Sequence, residues 1–234
     1  MKILVLVLGA RAAPYPALIR TIKRTWASVS VDGVDTLFYY GGDSLSLDGR
    51  DLVLPVPDGP LDIGRKTIAC FGWCLANRDF DLIFRTNCSS YVALANMARH
   101  VAQHGRRCSF YSGRIGHFDG RRFASGSGYF LSRDLVEHAV AAQGAWNHEL
   151  LDDVALSDLL ASEGVEAEPA PRVDYRGVNE IGEVDTSQFH FRCRTESRHR
   201  RDDVRVMRKV HRAFDESAGR GAVHGGLVRR LLGR

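Results

Sequence analysis

The run Ile3-Leu4-Val5-Leu6-Val7-Leu8 constrains this chain more than any other stretch. It places apolar residues at successive positions with no alternation, so a strand built from it must be covered on both faces. The run is short and Arg11 follows it, so Lys2–Leu8 reads as a first buried strand and not as a secretory signal. Further strand segments fall at Thr36–Tyr40, Asp51–Val56, Leu82–Thr86 and Ser109–Ser112. Helical periodicity lies between them. Pro16 opens one helix, with Leu18, Ile19, Ile22 and Trp26 on a shared face. Leu61–Ala76 is a second, with Ile63, Thr67, Cys70, Phe71 and Cys74 inward, and Tyr91–His104 is a third. This alternation predicts an α/β fold with a mostly parallel central sheet and helices on both faces.

The second half changes style. Ser125–Gly128 reads as a Gly/Ser turn, Tyr129–Leu131 as a short strand, and Ser132 as the cap of a helix. Another helix runs from Asp152 to Gly164, with Val165 starting a strand. Ser187–Arg194 (SQFHFRCR) alternates like a strand, and Arg200–Phe214 reads as a basic helix. The expected organisation is one domain over residues 1–197, followed by a basic helix and tail over 198–234.

A chain of 234 residues can bury a sizeable core. Its 5 cysteines form no CxxC pair, which points to reduced thiols packed as small hydrophobes and away from zinc or a disulfide framework. No window has the apolar length that spans a bilayer. The net charge of +4 is uneven: from His190 onward 13 Lys and Arg face 5 Asp and Glu, which leaves the remainder at −4. Charge confined to one end suggests a local anionic partner, phosphate groups or a membrane surface. Nucleic acid is not expected, because aromatic residues beyond Phe189, Phe191 and Phe214 do not interleave with the basic ones.

Several pieces, in order, resemble glycosyltransferase family 31, the β-1,3-galactosyltransferase and Fringe-like enzymes. They are RTIKRTW at Arg20–Trp26, GRKT at Gly64–Thr67, FDLIFRTNCSSYV ending at Val92, ASGSGYFLSRDLV at Ala124–Val136, and LLDDVALSDLLASEGV at Leu150–Val165. The resemblance implies a GT-A-like fold, a nucleotide-sugar donor (a UDP-sugar by default), and an inverting displacement with Asp153 as base. It departs from the family at one place. Where the family ends a strand in three aspartates that grip a metal and the diphosphate, this chain has Asn87, Cys88 and Ser89.

Transfer of a sugar from a nucleotide diphosphate requires deprotonation of an acceptor hydroxyl and neutralisation of the leaving diphosphate. Asp153 is the first choice for base, with Asp152 as second candidate or as the neighbour that tunes it. The diphosphate has two routes. One uses a divalent cation, Mn or Mg, for which His190 and Asp152 are the fallback ligands. The other uses guanidinium groups: His190, Arg192 and Arg194 stand at strand alternation, and a forked guanidinium fits phosphate oxygens. On that route no metal is required, and neutral Asn87 and Ser89, beside Arg85, hydrogen-bond ribose or donor-sugar hydroxyls. Lys66, Arg11 and Arg24 are further donor-site candidates. Gly126 and Gly128 are candidates for close approach of backbone to the acceptor or donor, and Trp146 for stacking on an acceptor sugar. Trp26 and Trp73 read as core.

The expected function is therefore an inverting glycosyltransferase, possible without a metal, that acts on a glycan or lipid-linked acceptor in polysaccharide biosynthesis. The expected place is the cytoplasm, with the basic tail in peripheral contact with the inner membrane face. The alternative is a non-catalytic sugar- or nucleotide-binding module that has lost its metal site.

Overall fold

A computed structural model describes residues 1–106, 108–195 and 201–231. Arg198 and Arg200 of the basic run, and residues 232–234 of the tail, lie outside them. The chain begins β1 (Ile3–Leu8), α1 (Tyr15–Arg24), β2 (Val34–Gly41), β3 (Ser46–Asp48), β4 (Asp51–Leu54) and α2 (Ile63–Asn77). It continues through β5 (Leu82–Asn87), β6 (Ser90–Val92), α3 (Leu94–His104), β7 (Tyr111–Phe118), β8 (Arg121–Ser132) and α4 (Arg133–Ala141). Then come α5 (Asp152–Ala161), β9 (Glu168–Pro169), β10 (Val173–Asp174), β11 (His190–Arg192) and α6 (Arg201–Leu231).

An 8-stranded sheet has the order β3-β4-β2-β1-β5-β8-β7-β9. β4, β2, β1 and β5 run parallel, while β8 joins β5 antiparallel, with Arg85 opposite Tyr129. A second sheet of 3 strands, β10-β11-β6, shares no strand with it. The uninterrupted apolar run of β1 has the consequence expected of it. Ile3, Val5 and Val7 enter one core with Leu18 and Ile22 of α1, Met97 and Val101 of α3, and Val206 and Val210 of α6. Leu4 and Leu6 enter the other with Phe71 of α2, Val136 of α4 and Leu156 of α5. Helices therefore cover both faces, and the basic helix α6 is part of the core packing.

Two local expectations are corrected. Ser125–Gly128 is not a turn but the middle of the twelve-residue strand β8, opposite a register shift between Gly113 and Ile115 of β7. Glycines beside a bulge mimic a turn in sequence. Ser132 precedes α4, yet its hydroxyl makes no helix cap; it accepts from the Phe110 N–H at 2.9 Å. Tertiary pairing has taken the oxygen that a cap would use.

Candidate functional site

The strand order turns at β1: its successor β2 lies on one side and β5 on the other. Crevices form at the carboxyl ends of strands at such a switch. Here a cavity of about 400 Å³ is lined by Leu8, Gly9 and Ala10 after β1, by Asn87, Cys88 and Ser89 after β5, and by Asp58, Ile63 and Lys66 leading into α2. Arg192 and Arg194 complete its lining.

The polar groups of the cavity are unequally engaged. Lys66, buried to 2% exposure, donates to Asp58 Oδ1 at 2.9 Å and to the Gly9 carbonyl at 3.4 Å. Asp58 also accepts from the N–H groups of Arg11 and Gly41. Burial pushes the Asp58 pKa up, but these donors outweigh it and hold the carboxyl below its usual range. Asn87 turns its Oδ1 to the Ser89 N–H at 3.1 Å and the Ser89 hydroxyl at 3.0 Å, which leaves its amide NH₂ for the cavity.

On the cationic side, Arg172 leans on Ser125, Ser127 and Asp174, with Nη2 to Asp174 at 3.0 Å. Arg192 stands beside it, half-buried, and Arg194 is exposed. Burial lowers the Arg192 pKa first, and the neighbouring guanidiniums of Arg172 and Arg194 lower it further. Among the described residues, Arg192 and Arg194 have no carboxylate at ion-pair distance. With Lys66 offset by Asp58, the guanidiniums of Arg192 and Arg194 are the cations left on the cavity lining, matching the two charges of a diphosphate.

The carboxylates Asp152 and Asp153 open α5 and face different partners. Asp152 Oδ2 accepts from Arg85 Nη2 at 2.5 Å. Burial raises the Asp152 pKa, and the Arg85 charge pulls against it. Asp153 Oδ2 accepts from the Gly126 N–H at 2.6 Å, and Asp153 is close enough to Arg192 to act on its charge. Arg85, placed with the donor site on sequence, is buried at 1% exposure behind the cavity. It donates to the Tyr39 hydroxyl at 3.1 Å and to the Gly126 carbonyl.

Other candidates fall elsewhere. His190 is buried against Phe84 with Nε2 3.3 Å from the Ser90 hydroxyl, and burial, with Arg172 second, holds its pKa down to about 3. It is a neutral core side chain and not a third cation on the face of Arg192. Trp146 is no stacking platform: at 4% exposure it packs into the core over Gly64. Arg24 is exposed in the last turn of α1, the end remote from the cavity, which the first turn approaches through Tyr15. Arg11 is not among the residues that line this cavity; its guanidinium lies near Gly42, in a separate hollow. Gly126 and Gly128 leave room for protein and not for a sugar. A Cβ on Gly126 would stand 2.8 Å from Arg85 Nη1, and one on Gly128 2.3 Å from His190 Cε1.

A divalent cation does not fit these residues. Asp58 is bound to Lys66, Asp152 to Arg85, and His190 to Ser90. Among the described residues no group of three His, Cys, Asp or Glu is placed to hold one.

No protein-family model matches the chain, and no curated protein does. Solved structures do. The chain is similar to a glycosyltransferase involved in the glycosylation of the major capsid of PBCV-1, with a TM-score of 0.59 at 9% identity over 90% of this chain and 100% of that one. The fold is GT-A-like. A mannosyltransferase from Pyrobaculum calidifontis, PcManGT in complex with GDP-Man and Mn2+, aligns with a TM-score of 0.49 at 14% identity. That alignment covers 73% of this chain, which spans 55% of the mannosyltransferase. In this GT-A-like fold the cavity lies at the sheet's switch point. Asp58 lines the cavity and Arg172 stands behind it as a charge neighbour of Arg192, and neither was singled out in the sequence. Asp58 stands in a Pro/Gly loop and Arg172 in an irregular one, and no periodicity marks either.

Proposed function

We propose that this protein is an inverting glycosyltransferase of Fringe-like type whose arginines do the work of a metal. The acceptor hydroxyl oxygen attacks the anomeric carbon of a nucleotide-sugar, the bond from that carbon to the diphosphate breaks, and the hydroxyl proton passes to Asp153. Arg192 and Arg194 take the charge of the leaving nucleoside diphosphate through charge-assisted hydrogen bonds. The Asn87 amide donates to a ribose or donor-sugar hydroxyl. The observation that carries this reading is the pair of guanidiniums, Arg192 and Arg194, on the cavity at the ends of β1 and β5, with no carboxylate at ion-pair distance among the described residues and with Asp174 and Asp153 in electrostatic range of Arg192. The order of the sequence motifs supports the Fringe-like assignment, with UDP as the default nucleotide.

The acceptor is a glycan or lipid-linked sugar, and the protein acts in the cytoplasm. No helix among the described residues is long and apolar enough to cross a membrane. Exposed Arg205, Arg208 and Arg212 on α6 support peripheral contact with an anionic surface.

A thermal-shift panel of nucleoside diphosphates and nucleotide-sugars, run in EDTA and again in manganese, tests the assignment. Ligand at ~100 times its Kd stabilises by ~2.7 kcal/mol, a rise in Tm of roughly 5–10 °C for a chain of this size. One diphosphate is expected to give that rise in EDTA. A rise only in manganese rejects the arginine route. Absence of any rise moves the assignment away from nucleotide-sugars altogether.

A further inference from the structure

Arg85 sits one strand away from the carboxylate that the proposed reaction uses, and touches neither cavity nor substrate. Its three donor positions are all engaged inside the protein: Nε on the Tyr39 hydroxyl, Nη1 on the Gly126 carbonyl, Nη2 on Asp152 Oδ2. Tyr39 lies in the second half of β2, Gly126 in mid-β8 and Asp152 starts α5, so one planar group ties three elements together. Gly126 is held at its other backbone group as well, because its N–H, in the preceding peptide unit, donates to Asp153 Oδ2 at 2.6 Å.

The bonds form a chain. The Arg85 guanidinium holds the Gly126 carbonyl, the φ and ψ of Gly126 within strand β8 relate that carbonyl to the residue's own N–H in the preceding peptide plane, and that N–H holds one oxygen of Asp153. The other oxygen, Oδ1, accepts from the Val154 N–H at 3.1 Å, so the carboxylate is held from two directions. Glycine is required at the centre of this arrangement, since a Cβ there would stand 2.8 Å from Arg85 Nη1 and 3.1 Å from Asp153 Oδ2.

We propose that Arg85 is a positioning residue for Asp153, acting through the backbone of Gly126. The inference rests on the assignment of Asp153 as the base, and deepens it. A charged, fully buried guanidinium is a costly way to join three elements that apolar packing could join. Its geometry is explained when the Gly126 N–H must point at one place.

Two variants test it. Arg85→Lys keeps the charge facing Asp152 but lacks the fork that also reaches the Gly126 carbonyl. Arg85→Met/Asp152→Met removes both buried charges together, which protects the fold from an unpaired one. The readout independent of turnover is the amide proton of Gly126 in a ¹⁵N-correlated spectrum. In the native protein it is expected downfield, as a short bond to a carboxylate requires, and Asp153→Asn is expected to move it upfield. Arg85→Lys and the double variant are expected to produce a comparable upfield move. For Arg85→Lys, kcat for nucleotide-sugar turnover is expected to fall by about 100-fold, the scale of an ångström of misplacement, with KM for the donor little changed. A Gly126 proton that stays in place in whichever variant folds, or a fall in donor affinity with kcat intact, overturns the proposal. If the native protein turns over no nucleotide-sugar, the assignment of function fails, while the Gly126 proton still decides whether Arg85 holds Asp153.

Discussion

Lys66 Nζ stands 2.9 Å from Asp58 Oδ1 on the wall of the cavity, so the most deeply buried cation of the site is already neutralised by protein. The diphosphate of a donor would meet this pair as a neutral, fixed surface, and would meet Arg192 and Arg194 as guanidiniums in no ion pair among the described residues.

Replacing Lys66 is therefore expected to act on stability before it acts on binding. Lys66→Met leaves Asp58 with backbone donors alone, and a loss of roughly 3 kcal/mol is expected in urea unfolding. Asp58 carries a pKa below its unfolded value, so the contribution of the pair is complete above pH about 4 and fades as the pH falls through the folded value. Unfolding curves at pH 7 and pH 3 check this: the gap between native protein and variant should narrow at pH 3.

His190 gives acid sensitivity of the same sign in a higher pH window. Its folded pKa of about 3 lies below the unfolded value, so between these the unfolded chain takes up a proton that the folded chain refuses. Stability is full above pH about 6.5 and falls on acidification, by roughly 2–3 kcal/mol between pH 6.5 and 4.5. His190→Asn removes the titrating group, and its urea midpoint is expected to fall less over that interval than that of the native protein.

The two glycines of β8 should respond unequally to alanine. At Gly128 the added Cβ meets the rings of His190 at 2.3 Å and Phe84 at 2.7 Å, both locked in the core. Gly128→Ala is expected to cost about 3 kcal/mol or more, beyond the usual range for overpacking. At Gly126 the nearest atoms are 2.8 Å from Arg85 and 3.1 Å from Asp153. Gly126→Ala should cost less stability, about 1–2 kcal/mol, while turnover falls because the carboxylate shifts. Parallel unfolding and turnover measurements on both variants separate the two effects.

The fold was legible because its signals are local. The unbroken β1 run demanded two covered faces, and the helices between strands supplied them. The site was legible in part. Asn87 and Ser89 reach the cavity from the end of β5 at the switch point, and Lys66 from α2 and Arg192 and Arg194, at and just past the end of β11 in the second sheet, line the same cavity. Side-chain direction was not legible. Alternation placed His190 and Arg192 on one face, but the short strand β11 buries His190 against Phe84. Trp146 sits in a polar stretch of sequence whose tertiary contact is the apolar face of α2, so hydropathy pointed outward where packing points inward. Arg85 read as a donor ligand because it ends a strand beside Asn87. Its partners Tyr39, Gly126 and Asp152 are distant in sequence, and no spacing rule joins them.

The most direct test of the central claim is steady-state release of nucleoside diphosphate from the nucleotide-sugar selected by thermal shift, measured in EDTA for the native protein and for Arg192→Ala. The native protein is expected to turn over in EDTA, and Arg192→Ala is expected to lose a factor of about 100 or more, the scale of removing one donor that stabilises developing charge. Turnover that EDTA abolishes and Arg192→Ala leaves unchanged would contradict the account.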